Sequence, residues 1–175
     1  RFRMNHGGGC ILDLGCYMTS LSYIISRIFS KTEGFCFSIE DKKYTYSNEE
    51  VELDASATIK FSNGFFSEVH CSFTSNLDEN TWIFGEEGKI RLKDTWSCQT
   101  NGFWINSEFH ETPKPCFDNP YSFQINKISE VISAKNIGKA TSLRFGLNES
   151  FCNARILDSW RTADLLKQSP AVSKI

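Results

Sequence analysis

Residues 54–74 constrain the fold more than any other stretch. Ala55, Ala57, Ile59 and Phe61 alternate with Asp54, Ser56, Thr58 and Lys60. That period of two marks a strand with one face dry and one face wet. Ser62-Asn63-Gly64 interrupts it with a residue free to take positive φ. Phe65, Val69, Cys71 and Phe73 then alternate with Glu68, His70, Ser72 and Thr74. The pattern predicts a β-hairpin of two half-buried antiparallel strands. Shorter period-two segments flank it. Residues 35–39 and 44–46 precede it, 81–85 and 89–93 follow around a Glu86-Glu87-Gly88 turn, and 96–112 hold one or two more.

Helical periodicity brackets this block. Over residues 9–29, Ile11, Leu14, Met18, Leu21, Ile25 and Ile28 recur at spacings of three and four, which predicts a helix buried along that stripe. Thr19, Ser22, Ser26 and Ser30 form the expected wet face. Prolines at 113, 115 and 120 predict a loop, then a helix capped by Asp118 or Asn119 with Tyr121, Ile125, Ile128 and Ile132 on one stripe. A last helix, about 143–166, would bury Leu147, Phe151, Ala154, Leu157 and Trp160. Helix, strands joined by short turns, then two helices imply an α+β fold: an open, mainly antiparallel sheet with helices packed on one face. The second face would carry Thr58, Lys60, Glu68 and His70, and serves either solvent or a subunit interface.

The 175 residues, 40% of them hydrophobic, suit a single domain over 1–175. A net charge of -2 with scattered Lys and Arg points away from nucleic acid and anionic membranes as partners. Seven cysteines without C-x-x-C spacing read as reduced thiols, and His6, His70 and His110 make no zinc spacing, so no metal is expected. The chain opens Arg1-Phe2-Arg3, with no initiator Met, signal pattern or bilayer-length apolar run. The expectation is an excised or processed domain of cytoplasmic origin.

The run His6-Gly-Gly-Gly-Cys-Ile-Leu-Asp13-Leu-Gly15-Cys-Tyr17 holds the candidate chemistry. Helical spacing of i, i+4 sets Asp13 beside Tyr17. A carboxylate in an apolar stripe costs free energy unless partnered, and the helix N-terminus offsets part of that cost. Asp13 is therefore a helix-start carboxylate or a site residue, and Tyr17 a core aromatic or a site residue. The triple glycine is not G-x-G-x-x-G in a βαβ unit, and no P-loop is present, so no dinucleotide site is encoded.

This run resembles the motif that opens the C-terminal domain in the glucose–fructose oxidoreductase/inositol dehydrogenase family: GGG, apolar residues, Asp, apolar, Gly, any residue, then His or Tyr. The similarity continues through Phe61-Ser-Asn-Gly64, Trp82 to Ile90, Asn119-Pro-Tyr121 and Ser150 to Asp158, and so covers almost the whole chain. Tyr17 in place of His is most similar to the dihydrodiol dehydrogenase and glucose–fructose oxidoreductase branch. The resemblance implies a two-domain oxidoreductase. Its N-terminal Rossmann domain, absent here, binds NAD or NADP and carries a catalytic Lys in Glu-Lys-Pro. Its C-terminal domain closes the pocket on a small-molecule substrate, a sugar or similar alcohol, and forms a homo-oligomer through the open sheet face. By that resemblance Asp13 orients the substrate or the Lys, and Tyr17 shares proton transfer. Tyrosine, with an ordinary pKa near 10, serves as a base only beside a cation. Arg3 falls where relatives place an aromatic–Arg pair and is a substrate or cofactor contact or a surface salt-bridge residue. Tyr121 falls at the loop–helix junction that borders the pocket in relatives and is a substrate contact or a packing residue; His6 reads as a loop residue. A non-catalytic dimerisation module with the same fold is the alternative.

Overall fold

A computed structural model of the chain describes residues 1–29, 36–97, 100–112, 120–133 and 146–168. The elements in order are α1 (Cys16–Phe29), β1 (Phe37–Tyr46), β2 (Glu52–Phe61), β3 (Phe66–Ser72), β4 (Thr81–Gly85), β5 (Gly88–Leu92), β6 (Gly102–Ile105), β7 (Glu108–Glu111), α2 (Pro120–Ser133) and α3 (Leu147–Gln168). They fall into two compact units, Arg1–Leu77 with Phe145–Ile175, and Asp78–Arg144. Each holds an open antiparallel sheet, β1-β2-β3 in the first and β4-β5-β6-β7 in the second. The α+β class holds, with two sheets in place of the single sheet expected.

In the first unit the hairpin forms as its alternation predicts. Ala55, Ala57, Ile59 and Phe61 of β2, with Val69 and Cys71 of β3, are buried against Tyr23 of α1 and Ile156, Leu157 and Trp160 of α3. Burying a side chain of the size of Ile or Leu contributes about 1.5–3 kcal/mol, so this layer carries most of the unit's cohesion. The opposite face is polar and internally paired. Lys60 Nζ lies 2.6 Å from Glu40 Oε2, and His70 Nε2 lies 3.1 Å from Asp54 Oδ1. The Lys60 hydrogen bond lowers the Glu40 carboxyl. Such exposed pairs add little stability.

Two bulges reset which side chains face inward. The expected strands 35–39 and 44–46 are one strand, β1, whose register slips between Glu40 and Lys43, where Asp41 takes φ 50°. The extra residue turns Lys42 and Tyr44 toward α3. Lys42 Nζ donates to Ser159 O at 2.6 Å, and the Tyr44 hydroxyl donates to Trp160 O. A second slip sets Thr45 opposite Asp54 but Tyr46 opposite Glu52, leaving Leu53 unpaired in the ladder. Glu52 is thereby buried, whereas strict alternation would place it outside with Asp54.

The helices depart from their expected faces. In α1, Thr19, Ser22 and Ser26 are buried and Ile28 is 70% exposed. Their hydroxyls and backbone are satisfied locally and across to neighbours. Thr19 Oγ1 donates to Asn153 Oδ1 of α3 at 2.6 Å, Ser22 Oγ lies 2.8 Å from Ser67 Oγ of β3, and Asn63 Nδ2 donates to Ser26 O at 2.8 Å. Small side chains let the helix approach closely, and hydrogen bonding removes the cost of burying them. Among the described side chains of α3, Ile156, Leu157 and Trp160 are buried, while Leu147 is 88% exposed and Phe151 and Ala154 are also exposed. The α2 stripe of Tyr121, Ile125, Ile128 and Ile132 is exposed throughout. Helical spacing defines a face but not what covers it. The Asp118 or Asn119 cap lies outside the described residues. Met4–Phe29 is apolar and long enough to cross a bilayer by composition, and half of its most apolar window is buried inside the fold.

Candidate functional site

The run from Arg1 to Tyr17 is a folded-back loop, a wide π-type turn over Ile11–Gly15 and the first turn of α1. The helix expected from residue 9 begins at Cys10, is wound as a π-type turn over Ile11–Gly15 and is α-helical from Cys16 to Phe29. π-type turns are uncommon and recur at functional sites. Each glycine amide is consumed within the loop. Gly7 N donates to Met4 O at 3.0 Å, Gly8 N to Arg3 O at 3.0 Å and Gly9 N to Arg1 O at 2.9 Å. These residues therefore do not fit a dinucleotide phosphate, which needs amides left free to point at it.

Gly8 and Gly9 are required by close approach. A Cβ on Gly8 would lie 2.5 Å from Arg1 O. Gly9 has φ 121°, and a Cβ there would lie 2.0 Å from Glu52 Oε2. Gly15 meets the Trp160 ring, 2.9 Å from an added Cβ, which holds the start of α1 tight against α3.

Asp13 sits in the wide turn, half-buried, with its N–H donated to Gly9 O at 3.2 Å. Its Oδ2 lies 3.0 Å from Arg1 Nε. That oxygen is screened from water and accepts no aligned hydrogen bond among the described residues. Arg1 in turn lies over the Phe73 ring, 5.8 Å from its centroid, and Phe2 meets the same ring edge-on at 5.2 Å. Phe73, just past β3, thus fixes the segment that brings the cation to Asp13. Burial pushes the Cys16 thiol up, and the Asp13 carboxylate adds to the rise. Tyr17 stands four positions on, 58% exposed. A carboxylate beside a cation and an accessible phenol at one helix end can orient a hydroxyl compound and exchange a proton with it.

Of the expected site residues, Asp13 lies in the wide turn and Tyr17 in the first turn of α1 that follows it. Arg3 contributes backbone, its carbonyl accepting from His6 N at 3.1 Å and from Gly8 N at 3.0 Å. The guanidinium on Asp13 belongs to Arg1. Tyr121 belongs to the second unit and is 71% exposed. His6 is an exposed turn residue. Arg1, Phe73, Glu52 and Arg161 were not singled out by sequence reasoning. Glu52 was hidden by the bulge, and Arg161 by its distance along the chain.

Residues 1–91 match the GFO/IDH/MocA C-terminal domain. The chain belongs to that family. It is 26% identical over 146 residues to trans-1,2-dihydrobenzene-1,2-diol dehydrogenase of Mus musculus, a match covering 83% of this chain and 40% of that protein. The chain thus spans less than half the length of this relative. Its fold resembles the crystal structure of an aldose-aldose oxidoreductase from Caulobacter crescentus complexed with glycerol, with a TM-score of 0.68 and 20% identity over 96% of this chain and 50% of that one. An oxidoreductase from Thermotoga maritima is similar with a TM-score of 0.61 and 21% identity, over 93% and 45% of the two chains.

Proposed function

We propose that this GFO/IDH/MocA domain is the substrate and oligomerisation half of an NAD(P)-dependent oxidoreductase, cytoplasmic, acting on a sugar, a sugar derivative or a similar alcohol or carbonyl compound. The observation that carries the reading is a Tyr17 side chain, 58% exposed, four residues on from the Asp13 of the Asp13–Arg1 pair, in a chain of this family. The names of the mouse relative and the Caulobacter enzyme, a diol dehydrogenase and an aldose oxidoreductase, favour a substrate rich in hydroxyls. NAD or NADP is assigned to a Rossmann domain outside these residues, because the glycine amides here are already committed. When bound there it exchanges a hydride with the substrate carbon.

In this reading Asp13 accepts a hydrogen bond from a substrate hydroxyl, and its contact with Arg1 helps to orient the carboxylate. Tyr17 would take the hydroxyl proton in oxidation as a phenolate, held by the Lys that the family resemblance assigns to the cofactor domain, and would return it as a phenol in reduction. Arg3 is retained as a substrate contact. The test is turnover in the protein joined to its cofactor-binding domain. Tyr17→Phe should lower kcat by about 10²–10⁴-fold. Unchanged turnover would overturn the role of Tyr17.

We assign the homo-oligomer contact to the exposed face of the second sheet. The register aligns Trp82, Arg91, Trp104 and Phe109 in one row across all four strands. The Arg91 guanidinium lies 4.1 Å from the Trp104 centroid and Lys89 Nζ 5.1 Å from that of Trp82. Trp82, Phe84 and Phe109 are exposed, and rigid aromatics with Arg are the side chains enriched in interface cores. Sedimentation should show Trp82→Ser/Phe84→Ser shifting the protein to monomer; an unshifted oligomer would move the interface elsewhere. The same face would equally serve a non-catalytic dimerisation module. A glycine fingerprint with Glu-Lys-Pro in the sequence encoded upstream favours the enzyme, and a different domain there favours the module.

A further inference from the structure

Glu52 and Arg161 form the one ion pair among the described residues with both side chains largely buried, 5% and 20% exposed, at 3.0 Å between Arg161 Nε and Glu52 Oε1. A buried pair of this kind is weak evidence for stability by itself, because desolvation offsets much of the attraction. Its placement is informative. Arg161 Nη2 donates to Gly8 O at 3.5 Å and contacts the Met4 sulfur at 3.6 Å. Glu52 Oε2, screened from water and without a hydrogen-bond partner among the described residues, occupies the space a Gly9 side chain would fill. The pair therefore packs against the Gly8–Gly9 backbone, Arg161 at Gly8 O and Glu52 at the Gly9 α-carbon.

Gly9 is also the junction between the two members of the Asp13 site. Its N–H donates to Arg1 O at 2.9 Å, and its carbonyl accepts from Asp13 N at 3.2 Å. Whatever holds Gly9 sets the separation of the Arg1 and Asp13 backbones, and with it their 3.0 Å side-chain contact. We propose that Arg161 and Glu52 are positioning residues for Asp13, clamping the triple glycine as a rigid platform. This rests on the reading of Asp13 as a site residue, and it makes the glycine run a fixed mount where flexible glycines alone would make a hinge. The bulge at Leu53 and the long reach from α3 give the same clamp its two arms.

Amide hydrogen exchange on this chain tests it without needing the substrate. In Arg161→Lys, which keeps the charge but loses the forked geometry, Gly8, Gly9 and Asp13 amides should exchange at least about tenfold faster. The amides of Ala57 and Val69 in the hairpin should change far less. Arg161→Met should enlarge the same local effect; if it fails to fold, Arg161→Lys decides. In the protein joined to its cofactor domain, Arg161→Lys should lower kcat more than it raises KM. Equal acceleration of all amides, or no acceleration at the glycines, would overturn the proposal. Local acceleration with a fully active Tyr17→Phe protein would leave the clamp standing and overturn the proton-transfer reading alone.

Discussion

Two ion pairs in the first unit share a distance and differ in everything else. Arg161–Glu52 and Arg1–Asp13 each bring an arginine Nε to a carboxylate oxygen at 3.0 Å. The first is packed under the glycine loop, with side chains 20% and 5% exposed; the second lies at the rim, 64% and 32% exposed. Solvent around the exposed Arg1 side chain screens the outer pair in part, although the contacting Asp13 oxygen itself is covered, so remaking that pair with a substrate hydroxyl costs less. Burial removes that screening from the inner pair, so breaking it strands a charge. Geometry alone does not separate a mount from a binding group; dielectric does.

The largest expected effect comes from stranding the inner charge. Arg161→Met should cost about 3–5 kcal/mol in urea unfolding, and adding Glu52→Leu to it should recover much of the loss. If the double variant is no better than the single, the inner pair is not the source of the cost. The same contrast runs through the two tyrosines of α1. Burial, then its hydrogen bond with Cys152, pushes the Tyr23 phenol up to about 12, whereas Tyr17 is exposed. The unfolded chain loses the Tyr23 proton near pH 10, before the folded chain does. Stability is then full below that pH and falls as pH rises toward 12, and Tyr23→Phe should flatten this limb of the pH profile.

Gly9→Ala combines a positive φ with a Cβ 2.0 Å from Glu52 Oε2, and should cost more than about 1 kcal/mol by thermal or urea melting. Arg1→Ala should cost the least, about 0.2–1 kcal/mol, and that cost should vanish in high salt. A salt-insensitive loss there would show that Arg1 acts through its packing on Phe73 and not through Asp13.

Much of this was legible in the residues. The alternation of 54–74 named the buried face of the hairpin residue by residue, because a sheet's side-chain period does not depend on its neighbours. The glycine run with Asp13 and Tyr17 marked the region where the loop, the wide turn and the charged pair now lie. The helix faces were less legible. The spacing in α1 favoured Ile28 inside and Thr19 outside, and the structure reverses both, since hydroxyls satisfied by α3 and β3 cost nothing to bury. Arg3 was nearer the motif than Arg1, yet the chain folds back so that Arg1 reaches Asp13.

By itself, then, the sequence determined the local periods, the hairpin, the glycine requirement and the helix start that carries Asp13 and Tyr17. These follow from sterics and from hydrophobic pattern over a few residues. Only the tertiary structure decided that Leu53 bulges, that Glu52 turns inward, and that Arg161 crosses 109 positions of sequence to meet it. A bulge shifts the phase of a strand without changing its composition, and a buried charge is tolerated only where its partner arrives. Both are settled by packing between segments that no local pattern connects.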